Sequence, residues 1–109
     1  MEQIDYEIFK QTELKVVTIK EAERIEGSDK LLQLLVDDGI NTRQIIAGIG
    51  KAYEPEEIIE KQIVIVANLK PRKLMGRESQ GMILAAHGED GSAVLLFPEK
   101  IVPNGSQIS

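Results

Sequence analysis

Residues 63–67, IVIVA, form an unbroken apolar run that is β-branched in its first four positions and bounded by Gln62 and Asn68. Such a run reads as a strand buried on both faces, because β-branched side chains pack well on a pleated surface and neither face offers water a polar group. A chain that holds this strand has to cover it twice. With 109 residues there is room for one domain, residues 1–109, and for one core. The remaining apolar segments must therefore be arranged around this strand.

Those segments are short and separated by turn signals. In residues 14–25 the apolar positions are Leu14, Val16, Val17, Ile19, Ala22 and Ile25, which suits a long, bent strand with a bulge and leaves a helix as the alternative. Leu32, Leu34 and Val36 then alternate, Asp37, Asp38 and Gly39 give a hairpin signal, and residues 42–46 resume a strand. Residues 54–61, EPEEIIEK, place proline at a first helical position and glutamates in the opening turn, where they suit the helix dipole, so one short helix is expected. Residues 81–86 and 93–97 flank HGEDGS, a turn between antiparallel strands. Residues 98–109 are broken by Pro98 and Pro103 and are expected to run over the surface. Three strands, a short helix and two or three further strands are the order of an all-β OB-fold, a five-stranded Greek-key barrel, here with residues 1–12 and 98–109 as flanking segments.

Hydrophobic residues at 42% and charged residues at 28% are ordinary values for a globular domain. No apolar run approaches the roughly 20 residues that cross a bilayer. The amino terminus, MEQIDYEIFK, lacks the basic-then-apolar order of a signal peptide, so no membrane partner and a cytoplasmic location are expected. With no cysteine and one histidine, His87, there is no disulfide framework, thiolate site or imidazole cluster, and no cofactor is expected.

The net charge of −5 is unevenly spread. Residues 1–60 hold 14 acidic and 7 basic side chains, whereas residues 61–109 hold 4 acidic and 6 basic. Lys70, Arg72, Lys73 and Arg77 bring four of those six cations within eight positions, in the stretch NLKPRKLMGR. Solubility alone is the bland reading of such a cluster. Pro71 argues against it, because proline holds Lys70 extended and fixes its own φ, which braces Lys70 and Arg72 at little entropic cost. On the rim of a barrel these cations suit phosphate contact. The only aromatics are Tyr6, Phe9, Tyr53 and Phe97, none beside the cluster, so base stacking cannot be the main source of affinity. Recognition of a backbone shape remains, which fits folded RNA better than single-stranded DNA.

The phrases ANLKPRKLMG and ESQGMILAA, with GSDKLLQL and IIAGIGKAYEPEE upstream, resemble the tRNA-binding domain found at the carboxyl end of many methionyl-tRNA synthetases. Similar domains occur as free-standing tRNA-binding proteins and in the endothelial-monocyte-activating-polypeptide II group. The resemblance runs from about Phe9 to about Ile108. It implies an OB-fold, usually dimeric, that binds tRNA by shape with little regard to anticodon and raises the affinity of a synthetase. It also implies a tRNA surface at Asn68, Lys70, Arg72, Lys73, Met75, Gly76, Ser79 and Gln80, with Lys30 of the SDKL turn as a weaker candidate. The bland readings are a gap-filling Met75, glycines that permit a turn or bulge, an ordinary turn at Ser79 and Gln80, and a Lys30 that merely accompanies Asp29. Two departures stand out: LKVV replaces the LRVG or LKVG of many relatives, and KEAERIEG does not reproduce the cytokine-associated basic peptide.

A homodimer is expected on two grounds. The outer face of IVIVA needs a cover, from the short helix or a second subunit. Ile4, Ile8 and Phe9 fall at helix-like spacing behind Asp5 and could clamp across an interface or pack on their own barrel. An enzyme is not expected: Glu56, Glu57 and Glu60 suit the helix start and solvent, and no nucleophile elbow precedes His87. The competing reading is an export-related chaperone with a similar dimeric barrel that holds unfolded peptides, although its rim loop lacks the LKPRKLMG and SQGM phrases.

Overall fold

In the computed structural model, which describes residues 1–109, the longest strand is β1, Leu14–Arg24. Its first half pairs antiparallel with β4, Gln62–Val66, from Leu14 opposite Val66 to Thr18 opposite Gln62. Its second half pairs with β2, Leu32–Asp37, and the register shifts between Ile19 and Glu21. That bulge is the expected bend, and the strand reading of residues 14–25 stands over the helical one. β2 continues through the expected hairpin into β3, Thr42–Ala47.

Burial follows the sequence alternation. Leu32, Leu34 and Val36 of β2 are fully buried, and with Val17, Ile19, Ile45, Ile63 and Ile65 they build the barrel core. β4 is buried along its whole length, with Ile63 and Ile65 turned into that core. β7, Met82–Ile83, pairs with β4 and completes the order β3-β2-β1-β4-β7. Between β4 and β7 lies a separate hairpin, β5 (Arg72–Leu74) with β6 (Arg77–Ser79). A further hairpin, β8 (Ala85–His87) with β9 (Ala93–Leu95), sends Leu95 into the core.

Several elements differ from the sequence expectation: the strand expected over residues 81–86 is divided between β7 and β8, residues 72–79 form a hairpin, and three further segments depart as follows. The short helix is a single 3₁₀ turn, Pro55–Glu57. Glu57 accepts the Glu54 amide at 2.7 Å, and the turn delivers the fully buried Ile58 to the core. It cannot lengthen, because the chain rejoins β1 at once: the Glu60 amide donates to the Ile19 carbonyl at 2.7 Å, and Ile19 donates to Lys61 at 3.0 Å.

The carboxyl-terminal segment runs over the surface, with none of its residues buried, but it is held there by a strand and side-chain bonds. β10, Gln107–Ile108, adds to β1 opposite Lys15 and Leu14. Ahead of it, Gln62 clasps Val102 through Nε2 to the carbonyl at 2.7 Å and through the amide to Oε1 at 3.1 Å, and Thr18 Oγ1 donates to Asn104 Oδ1 at 2.7 Å. This segment covers Thr18 and Gln62 on the outer side of β1 and β4, and on the outer face of residues 63–67 Val64 and Val66 are already buried within the single chain. Pro98 and Pro103 hid the segment by removing strand periodicity.

At the other end, α1, Tyr6–Phe9, buries no residue, and Asp5 makes no side-chain cap. Ile4, Tyr6, Ile8 and Phe9 all remain exposed, so the segment does not pack on its own barrel.

The β2–β3 turn and the carboxyl-terminal segment meet backbone to backbone. Gly39 has φ +91° and Gly105 φ +90°, and a Cβ on Gly39 would collide with the Asn104 carbonyl. Gly39→Ala should therefore destabilise the fold by about 2 kcal/mol or more, from both strain and the clash. Urea unfolding reads this directly, and a change within a few tenths of a kcal/mol would contradict the packing.

Candidate nucleic-acid interface

The β5–β6 hairpin carries most of the residues predicted for the site. Its register, Arg72 opposite Ser79 and Leu74 opposite Arg77, leaves a two-residue turn at Met75 and Gly76. Both have positive φ, +53° and +76°, which is a type I′ turn, the form whose twist matches the flanking strands. Glycine takes this conformation freely, whereas methionine at positive φ costs about 1–2 kcal/mol. Met75 is nonetheless 54% exposed, so no core packing offsets the strain. Its Sδ-methyl would lie 3.5 Å from a Cβ placed on Gly27, which brings the turn of residues 25–31 against the hairpin tip. Lys30 sits on that turn and is exposed.

Ion pairing separates the cations into two groups. Seven of the thirteen, Lys10, Lys15, Lys20, Arg24, Arg43, Lys51 and Arg77, lie within 4.0 Å of a carboxylate. The remaining six are Lys30, Lys61, Lys70, Arg72, Lys73 and Lys100, of which Lys61 lies over the Phe97 ring at 5.2 Å. Lys70, Arg72 and Lys73 are exposed and have no intramolecular counter-ion. Arg77, the fourth cation of the cluster by sequence, instead donates to Gln33 Oε1 at 2.6 Å and lies 3.7 Å from Glu23. It ties the hairpin to β2 and β1.

Two predicted contact residues have internal roles. Ser79 is 1% exposed: its Oγ accepts the Ile46 amide at 3.0 Å and donates to the Gly81 carbonyl at 3.0 Å. This hydroxyl closes the barrel between β3 and the end of β6 and is out of reach of a ligand. Asn68 accepts the Glu13 amide at 2.9 Å and donates to the Gln11 carbonyl at 2.7 Å, fastening the amino-terminal segment to the loop base. Gln80 accepts the Gln44 amide through Oε1 at 2.9 Å, while its amide nitrogen has no bond within the protein. Lys70, Arg72, Lys73, Met75 and Gly76 thus share the hairpin and its approach, with Gln80 at its base and Lys30 on the neighbouring turn.

Sequence reasoning missed Arg43. Its Nε donates to Asp38 Oδ2 at 2.8 Å, and Nη1 donates to the carbonyls of Ala67, at 2.7 Å, and Gln80, at 3.2 Å. Asp38 also accepts the amides of Asn41 and Ile40. Burial pushes the Asp38 carboxyl up, but the Arg43 hydrogen bond, those two amides and the Arg43 charge outweigh it and hold the pKa at about 2.

The family model described as "Putative tRNA binding domain" matches residues 14–107. The chain belongs to the tRNA-binding-domain family. It is 54% identical over 111 residues to a methionine–tRNA ligase of Caldanaerobacter subterraneus subsp. tengcongensis, covering 99% of this chain and 17% of the ligase. It is 56% identical over 105 residues to that of Methanothrix thermoacetophila, covering 96% and 15%. The chain thus spans about a sixth of the length of these relatives. Among solved structures, a methionyl-tRNA-synthetase-related protein from Pyrococcus horikoshii superposes with TM-score 0.94 at 40% identity, covering 100% of both chains. The chaperone CsaA from Bacillus anthracis superposes with TM-score 0.91 at 34% identity, covering 99% and 100%. The same barrel is therefore found in a synthetase-related protein and in a chaperone.

Two outcomes follow from the geometry. A carboxyl whose pKa falls from 3.8 to about 2 on folding contributes about 2 kcal/mol of stability, complete above pH 4 and lost as pH falls through 2. Asp38→Asn should therefore be less stable at pH 7 by roughly that amount, with the gap to the unsubstituted protein closing between pH 4 and pH 2 in acid unfolding. Met75→Asn, which relieves a strained left-handed residue in an exposed turn, should raise the unfolding free energy by about 1 kcal/mol in urea titrations.

Proposed function

We propose that this domain binds tRNA through its folded backbone, independently of the anticodon, and thereby raises the tRNA affinity of a methionyl-tRNA synthetase to which it is joined or which it assists. The observation that carries the reading is the group Lys70, Arg72 and Lys73, exposed and without a counter-ion on a hairpin anchored to the barrel. Each phosphate that such a cation neutralises releases counterions, so the affinity comes from the backbone and carries no base information. Met75 and Gly76 at the tip, the Gln80 amide and Lys30 on the adjacent turn complete the proposed contact set. Asn68 and Ser79 hold the loop in shape. The domain itself has no part in catalysis: Glu57 caps the 3₁₀ turn and Glu60 pairs with Lys20 at 2.8 Å. It takes no cofactor, contacts neither membrane nor DNA, and works in the cytoplasm.

A two-fold homodimer belongs to the same proposal. With the carboxyl-terminal segment folded over its own barrel, support for the dimer rests on α1, whose Tyr6, Ile8 and Phe9 have no cover in the monomer. Two protomers would set two basic hairpins on one ligand and gain by avidity. A monomer mass in sedimentation equilibrium would count against it.

The likeness to a chaperone structure, together with the exposed apolar α1, supports a second reading in which the domain holds unfolded polypeptides. One binding experiment separates the two. Deacylated tRNAs of several specificities should bind alike, with a log–log salt slope of about −3 for four cations. Lys70→Ala with Arg72→Ala should lower that slope by about 1.5 and weaken all the tRNAs equally. No tRNA binding at low salt, with binding of an unfolded polypeptide, would establish the chaperone reading instead.

A further inference from the structure

The excursion of residues 68–80 leaves the barrel at Ala67 and returns at Gln80, and its internal ladder is three residue pairs long. A two-stranded hairpin of that length is not stable by itself in water. Its position is therefore set by what attaches it to the barrel. Little apolar surface does so: Leu74 is half-buried, and Leu69 and Met75 are exposed. The attachments are mostly directional and polar. Gln44 Nε2 reaches the Glu78 carbonyl at 2.9 Å, Ser79 reaches Ile46, and Arg77 reaches Gln33.

Arg43 differs from these in touching both ends of the excursion. One nitrogen, Nη1, donates to the carbonyl where the chain departs, Ala67, and to the carbonyl where it returns, Gln80. Nε is meanwhile held by Asp38, whose carboxylate is mostly buried and is fixed by two backbone amides of the β2–β3 turn. A planar fork with donors in fixed relation can satisfy these three acceptors at once, and a lysine ammonium at the same position cannot. The geometry points to Arg43, oriented by Asp38, as a positioning residue that clamps the base of the basic hairpin and so fixes where Lys70, Arg72 and Lys73 stand. Its charge is matched inside the protein, so it acts on a polyanion through the hairpin and not by contact.

This inference rests on the tRNA reading, and its test separates the two. Arg43→Lys keeps the charge and loses the fork. Amide hydrogen exchange should quicken by about tenfold at residues 72–79, because local opening of the hairpin becomes easier, while β1 and β4 amides keep their protection. Affinity for tRNA should fall by about tenfold at every salt concentration, since fewer molecules present the competent hairpin, with the salt slope unchanged. Unchanged exchange in the hairpin overturns the clamp, and so does a slope that falls by about 1, which would make Arg43 a direct phosphate contact. If Arg43→Lys does not fold, Asp38→Asn carries the same test: its Oδ1 still accepts the Ile40 and Asn41 amides, while the Arg43 bond is lost. If the unsubstituted protein binds no tRNA, the functional reading falls and the exchange data alone decide whether Arg43 sets the hairpin.

Discussion

Everything in this domain depends on β1 serving two partners. Because Leu14–Thr18 pair with β4 and Thr18–Arg24 with β2, one strand belongs to both walls, and the bulge after Ile19 turns it from one to the other. Coiling of the sheet brings the free edge of β3 round to the chain that follows β6. There the closure is made by few bonds: Ile46 to the Ser79 hydroxyl and Gln80 to the Gln44 carbonyl. The basic hairpin is inserted at this seam. A loop at the closure of a barrel is held from two sides by strands, which places its cations in a defined position.

The charge distribution gains its meaning from this placement. On the barrel body, arginines and lysines sit beside carboxylates of nearby segments, as with Arg24 and Glu54 or Lys20 and Glu60, whose carboxylates lie on the connection between β3 and β4. Those pairs are exposed and contribute little stability, yet they cancel local field. On the hairpin, Glu78 stands opposite Lys73 in register without forming an ion pair, and no other carboxylate lies in residues 62–88. At physiological salt the Debye length is about 8 Å, so the acidic remainder of the chain does not erase this local field. An acidic protein can thus present a basic edge, and its overall negative charge opposes binding of a polyanion anywhere else.

Much of the architecture was legible because it is local. The alternation of β2, the Asp-Asp-Gly turn and the β-branched run of β4 each carry their own signal within a few residues. The bent β1 was legible for the same reason, since its two apolar registers are visible on either side of the bulge. What could not be read was how far a polar side chain reaches. The resemblance implied Ser79 and Asn68 as ligand contacts, and it could not show that Ser79 is buried or that both bond to residues 33 and 55 positions away. Arg43 gave no signal at all: a cation in a half-buried strand looks like a solvated one until the ends of a distant loop are brought to it.

The sequence by itself determined the strands β1 to β4, the β2–β3 and β8–β9 turns and the concentration of cations in residues 70–77, because each depends on side-chain type and spacing along a few residues. Tertiary structure alone decided the rest. It made the carboxyl-terminal segment a cover for Thr18 and Gln62, limited the helix to one 3₁₀ turn, and divided the polar loop residues into those that hold the hairpin and those left facing solvent. The reason is that hydrogen-bond satisfaction and charge neutralisation are properties of pairs, and a pair formed across thirty or more residues exists only once the barrel has closed.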